Sequence, residues 1–260
     1  MDYQNIIKGG IIFCIIYCGY WQVLQAEGEA RSISIDEQFK MEVAKNSQDI
    51  GYRPHPFPLQ KEISGAYSKR LAKSTSFPSS YDLRKTGDTT SVKNQGQCGS
   101  CWTFATMASI ESNLKKNGSG SYDLSEQNLK NLHGFAYSHC SGGDPYMSQS
   151  YFSRGMGPVL ESEDPYDTTS STSNTYTPSM YRGEARYISQ DRSVIKQAIM
   201  DHGALFMSMY YHNSYYNYSN KTYFSNSGNT CNHGVTVVGW NDTITTSASQ
   251  PGAWIIKNSY

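Results

Sequence analysis

A thiol placed at the start of an apolar, helix-forming run is the most reactive arrangement in this chain. The stretch Asn94-Gln95-Gly96-Gln97-Cys98-Gly99-Ser100-Cys101-Trp102-Thr103-Phe104 supplies it. A cysteine nucleophile needs a stabilised thiolate, a base within hydrogen-bond reach and donors for a developing oxyanion. A helix N-terminus offers partial positive charge and unpaired amides, and Cys101 sits where a helix should begin. The same residues also read as a Cys-x-x-Cys redox pair, Cys98 with Cys101. The stretch alone leaves both chemistries open.

Six histidines compete for the role of base. His233 precedes the alternating run Val235-Thr236-Val237-Val238, so a strand would hold its ring at the rim of a sheet. Asp201-His202-Gly203 superficially offers the same pattern. There, however, the histidine ends a helix, where it commonly just meets the dipole. His55 lies in a proline run, and His133, His139 and His212 lie in helix-end or loop contexts. What singles out His233 is the later Ile255-Ile256-Lys257-Asn258-Ser259, which brings an amide able to orient an imidazole.

The elements that must position these groups follow from pattern. Trp102 to Lys116 reads as a helix with Ala105, Ala108 and Leu114 inward, ended by Lys115, Lys116, Asn117 and Gly118. Asp123 with Glu126 makes a capping box for a second helix running to Gly134. After the tight turn Cys140-Ser141-Gly142-Gly143 a third helix runs to Gly155. Residues 165–183, rich in Ser, Thr, Asn, Tyr and Pro, read as an inter-domain crossing or surface loop. Ser193 to His202 is a further helix. Then Ala204 to Tyr210, Gly234 to Trp240 and Ala253 to Lys257 read as strands. Between them, the aromatic-rich Tyr210 to Phe224 reads as a solvated loop or edge strand. Helices first and strands second give an α+β fold in two lobes.

The remaining chain reads as leader and linker. Residues 1–26 carry Lys8, an apolar centre at 10–24 and a small residue, Ala26, at a cleavage point, which is the pattern of a signal peptide. The apolar run is shorter than the ~20 residues of a membrane span, so no stable span is expected after cleavage. Export leads to an oxidising compartment, secreted or extracytoplasmic, or lysosome- or vacuole-like in a eukaryote. Residues 27–76 read as a pro-segment or linker, with one helix following Ser34 and an extended run at Arg53-Pro54-His55-Pro56-Phe57-Pro58. Lys plus Arg and Asp plus Glu both count 22, with no block of like charge, so no nucleic-acid partner is expected. Composition says nothing of oligomeric state. Four cysteines, Cys98, Cys101, Cys140 and Cys231, would remain after the leader, allowing at most one disulfide if Cys101 must react.

From Phe77 onward the chain resembles the papain-like cysteine peptidases. The resemblance is carried by Gln95-Gly96-Gln97-Cys98-Gly99-Ser100-Cys101-Trp102, Leu124-Ser125-Glu126-Gln127, Cys140-Ser141-Gly142-Gly143, Asn232-His233-Gly234-Val235 and Ile256-Lys257-Asn258-Ser259. His233 lies 132 residues beyond Cys101 and Asn258 lies 157, against roughly 130 to 150 in the family. An insertion at 241–252 would explain the longer spacing. The resemblance implies a helical N-terminal lobe, a β-rich C-terminal lobe and a cleft between them over residues 77–260. It implies Cys101 as nucleophile, His233 as base and then acid, Asn258 as the group orienting the imidazole, and Gln95 as an oxyanion donor. It further implies a Cys98–Cys140 disulfide, Gly142 and Gly143 as the backbone against which substrate lies, Trp102 packed beside the nucleophile, and neither metal nor cofactor. The substrates would be peptides or proteins.

The sequence departs from the family in three places. Tyr260 stands where the family has Trp, and relatives continue beyond that point, so the chain resembles a fragment with the partner of Cys231 beyond it. Residues 27–76 lack the long helical inhibitory pattern and resemble the Gly-Tyr-x-Pro lead-in of prokaryotic exported members. Two other functions stay in view: a catalytically silent homologue used for binding or adhesion, and a thiol–disulfide oxidoreductase.

Overall fold

The computed structural model describes residues 51–53, 76–180, 185–188 and 190–259, with the backbone alone at 12–16 and 184. The rest of the expected leader, the helix after Ser34, the proline run beyond Arg53, and Tyr260 lie outside these residues. The elements run β1 (Ile12–Ile16), β2 (Ser80–Asp82), α1 (Leu83–Thr86), α2 (Cys101–Lys116), α3 (Glu126–Leu132), α4 (Pro145–Ser153), β3 (Glu184–Ile188), α5 (Arg192–His202), β4 (Leu205–Met209), β5 (Tyr216–Asn217), β6 (Thr222–Tyr223), β7 (His233–Asn241) and β8 (Ala253–Lys257).

Helix α2 is the axis of the molecule. The sequence expects one inward stripe, yet every residue from Cys101 to Leu114 is buried. Met107, Ile110 and Leu114 join Leu124, Leu129, Met147 and Tyr151 of the helical lobe in one core. Polar residues on α2 are tolerated inside because each finds a partner. Ser109 Oγ donates to Ala204 O at 2.7 Å and Asn113 Nδ2 to His202 O at 2.8 Å, while Glu111 Oε1 accepts from Leu124 N at 2.9 Å. The basic last turn, Lys115 and Lys116, meets the negative end of the helix dipole.

The second helix begins at Glu126, with Ser125 as its cap accepting from Asn128 N. Asp123, expected to be that cap, instead pairs with Lys93 at 2.6 Å. Helix α4 is capped by Asp144, which accepts from Met147 N, and has Pro at its start, where a missing N–H costs nothing.

The large sheet has the order β2-β7-β4-β1-β3, with β8 on the free side of β7. Strand β7 pairs antiparallel with β4 through His233–Val237, with β2 through Gly239–Asn241, and with β8 along its other edge. It is buried from His233 to Trp240. Val237, Val238 and Trp240 form a second core with Leu83 of α1 and with Val194, Ile195, Ala198 and Ile199 of α5. The helices-then-strands order holds with two amendments. Strand β2, which opens the main domain, belongs to the second lobe, and α5 covers that lobe's sheet.

Strand β1 lies parallel to both β3 and β4. It falls within the residues read as a leader, so this stretch has two competing uses. Strand β3 alternates polar and apolar over only Glu184–Tyr187, and the strands of the β5–β6 hairpin have two residues each, too short to stand out in the sequence. The stretch Tyr210 to Phe224 is indeed mostly loop around that hairpin.

Candidate active site

The site forms where the N-terminus of α2 meets the start of β7. Gly234, directly after His233, donates its backbone N–H to Cys101 Sγ at 3.2 Å. Both Cys101 and His233 are fully buried. Asn258, one residue beyond β8, accepts through Oδ1 from His233 Nε2 at 2.8 Å and from Ser259 N at 2.9 Å. An amide oxygen can only accept, so His233 carries its proton on Nε2. Nδ1 is then the nitrogen able to take a proton from a thiol. The strand pairing explains the sequence distance: Thr236 lies opposite Lys257, which sets His233 and Asn258 near one end of the same two-strand ribbon. A register shift between Val237 and Gly239 absorbs one residue along the way.

Gln95 lies beside the thiol-bearing helix. Its Nε2 donates to Cys98 O at 2.9 Å, which uses one of two amide hydrogens, and its Oε1 accepts from Ser259 Oγ at 2.7 Å. Its backbone N–H donates to Ser259 O at 2.6 Å. Thus Ser259 ties Gln95 to the segment that carries Asn258. The sequence motif contains Ser259 without indicating this role.

Cys98 and Cys140 are joined in a disulfide, and Cys101 remains a thiol. A Cys98–Cys101 redox pair is therefore not what the structure contains. Cys231 is disulfide-bonded too, to none of these three, so the expectation that its partner lies beyond Tyr260 does not hold. The Cys98–Cys140 link holds the turn Ser141-Gly142-Gly143 against the Gly99 backbone, whose N–H donates to Cys140 O at 3.2 Å. Gly143 lies flat on the indole of Trp102: a Cβ there would stand 2.4 Å from Cε2 of the ring. Trp102 is almost fully buried and serves as the floor beneath Gly143.

The competing histidines fall elsewhere. His202 caps the far end of the lobe contact, its carbonyl held by Asn113, twelve residues and about 18 Å along α2 from Cys101. His133 sits edge-on to Trp102 at 5.9 Å, and its Nδ1 accepts from Phe135 N. Burial, with the Arg154 charge, pushes its imidazole down to about 4, so it stays neutral.

Three neighbours were not singled out from the sequence. Asn232 clasps the Tyr211 backbone with both ends of its amide, at 2.7 and 3.1 Å, and Tyr211 packs 5.7 Å from the His233 ring. Tyr166, from the stretch read as a surface loop, donates to Gln95 O at 2.8 Å. Only Asn232 had any signal, its adjacency to His233.

Residues 77–260 match the model of papain family cysteine proteases. Cathepsin K of Mus musculus is 33% identical over 193 residues, covering 70% of this chain and 56% of cathepsin K. A cathepsin L-like peptidase of Aedes aegypti is 29% identical over 190 residues, covering 70% and 55%. Among solved structures, the cysteine protease and lectin-like domains of Cwp84, a surface layer associated protein of Clostridium difficile, superpose with a TM-score of 0.66 at 26% identity, covering 86% of this chain and 52% of that one. The chain spans about half the length of the curated relatives it matches. Motifs, fold and the match over 77–260 agree: the chain belongs to the papain family of cysteine proteases.

Proposed function

We propose that this protein hydrolyses internal bonds of peptides or proteins through a Cys101 thioester. The observation that carries the reading is the His233 Nε2–Asn258 Oδ1 hydrogen bond beside a buried thiol at a helix N-terminus. Nδ1 of His233 takes the thiol proton and Cys101 Sγ attacks the carbonyl carbon. The oxygen that gains the electron pair is met by the Gln95 side-chain amide and by the Cys101 backbone N–H. The amine leaves with the proton from His233, and water, deprotonated by the same nitrogen, releases the acid and the thiol. Gly142, Gly143 and Trp102 form the wall along which substrate backbone lies. Cys101→Ala should abolish cleavage while the protein still melts cooperatively. Retained cleavage would overturn the reading, and a folded protein that neither cleaves nor reacts with a peptidyl fluoromethyl ketone would favour the silent-homologue alternative.

We further read residues 27–76 as a pro-segment. Gly51, Tyr52 and Arg53 support this, because they lie along the Gly143 wall. Gly143 N donates to Gly51 O at 2.9 Å, Arg53 N donates to Gly143 O at 3.0 Å, and Tyr52 N donates to Asn232 O at 3.1 Å. Tyr52 is buried against Phe206. Gly51 has φ +108° and presses on Gly99, so a side chain there is excluded twice over. Export with removal of residues 1–26 is the companion proposal, and it competes with the Cys231 disulfide as well as with β1, since none of Cys98, Cys101 and Cys140 is the partner of Cys231. N-terminal sequencing of the exported protein tests it against the strand placement of Ile12–Ile16: a start near residue 27 supports the leader, and a retained Met1 supports the strand.

A further inference from the structure

Tyr166 joins the two arms of the site from outside every motif. Its hydroxyl lies 2.8 Å from Gln95 O and 2.6 Å from Ser100 Oγ. A carbonyl only accepts, so the phenol proton goes to Gln95, and Ser100 must donate to the phenol oxygen. Ser100 stands at the cap position of α2, where a serine hydroxyl ordinarily accepts from the second or third amide of the helix. Here it makes no cap hydrogen bond. The third amide of the helix, that of Thr103, donates instead to Ser100 O at 2.9 Å.

The phenol is itself held on several sides. Its ring meets Phe104 of α2 edge-on at 4.8 Å, and Lys130 Nζ stands 5.2 Å from the ring centroid. The backbone N–H of Tyr166 donates to Glu161 Oε1 at 2.8 Å. Lys130, fully buried, reaches past the ring to the carbonyls of Asp167 and Ser170, which fixes the loop that carries the tyrosine. Nothing in this arrangement requires an exposed reactive phenol.

We propose that Tyr166 is a positioning residue that, by bonding Gln95 O and Ser100 Oγ together, sets the spacing between the Gln95 amide and the Cys101 N–H. The inference rests on the peptidase reading above. It concerns a group that never touches the reacting atoms, so its effect should appear where negative charge develops on the substrate oxygen. In the full-length protein, Tyr166→Phe should lower kcat about tenfold with KM unchanged, the size of one hydrogen bond lost beside the transition state. A peptide aldehyde, whose adduct with the thiol carries the same oxyanion, should bind about tenfold more weakly. Ser100→Ala breaks the shared bond from the other side, so the double variant should be no worse than Tyr166→Phe alone. Active-site titration with a peptidyl fluoromethyl ketone restricts each measurement to folded, competent enzyme. A loss confined to KM, unchanged aldehyde affinity, or additive single-variant effects would overturn the proposal. Failure of the parent enzyme to be titrated at all would instead overturn the peptidase reading.

Discussion

The two walls of the cleft are built to different standards. On the thiol side, α2 is buried over its first fourteen residues, hydrogen-bonded at its internal polar groups, and flanked by a disulfide. On the imidazole side, β7 is equally buried, but β8 beside it is half-buried at all five of its residues. That strand borders an open trough of about 820 Å³ lined in part by Met207, Met209, Tyr211, Trp254 and Ile256. Asn258 is thus carried by the looser neighbour of the two strands. Its tie to the rigid wall runs through Ser259 to Gln95 and through Lys257 Nζ to Thr90 Oγ1. Cys101 is held by core packing, whereas Asn258 depends on a few polar contacts. Such a division would let any adjustment of the walls fall mainly on one side.

Glu111 gives the most severe way to break the contrast. It is fully buried on α2 and accepts from Leu124 N, with Thr90 and Lys93 also donating to it. Glu111→Ala should cost about 3 to 5 kcal/mol in denaturant unfolding, because Lys93 and two other donors lose a buried acceptor. A loss near 1 kcal/mol would show the thiol wall to be no stiffer than the other.

Acid should also act on the helical side. His133 titrates near 4 in the fold against 6.5 for the ordinary group. Its pKa is depressed, so the unfolded chain binds the extra proton first and stability falls as pH drops from about 6.5 to about 4. The full effect is at most about 3 kcal/mol, reduced by whatever solvent screens the ring. His133→Gln should flatten that part of the stability–pH curve, measured by thermal melts in steps of half a pH unit. An unchanged slope would remove His133 from the account.

A third pair sharpens the comparison directly. Ile110→Ala, within α2, should cost about 2 to 5 kcal/mol, and Ile256→Ala, on half-buried β8, about 1 kcal/mol. The second variant should nevertheless lower activity by more than its stability loss suggests, since it loosens the strand leading to Asn258. Equal stability costs would mean that the trough is not a weakness.

The thiol wall is also the more legible in sequence. Helix α2 is expected from Trp102 to Lys116 and begins one residue earlier, because a run of helix formers ending in Lys115-Lys116-Asn117-Gly118 has little other use. Ala253–Lys257 reads as a strand and is one. The second helix is expected two residues too early at its cap, since local sequence cannot reveal that Lys93 claims Asp123. Tyr166 is invisible for a related reason. The stretch around it has no period, yet Asn128 Nδ2 reaches Asp164 and Asn174 O, and Lys130 reaches Asp167 and Ser170, so an irregular loop is pinned by buried polar residues of α3. Side chains that satisfy distant carbonyls leave no pattern in their own neighbourhood. The pairing of His233 with Asn258 is legible only because the motif around each is short and specific.

The contacts of Gly51, Tyr52 and Arg53 along the cleft have a consequence for timing. Peptide groups make the bonds to Gly143 and Asn232, and the guanidinium meets the Ser141 carbonyl and the Tyr137 ring. None of those acceptors changes charge between pH 4 and 8. Lowering the pH should therefore leave these particular contacts in place. On the pro-segment reading proposed above, clearing the groove by cutting the chain would make the onset of activity an irreversible event with a history, rather than a reading of the compartment's present acidity.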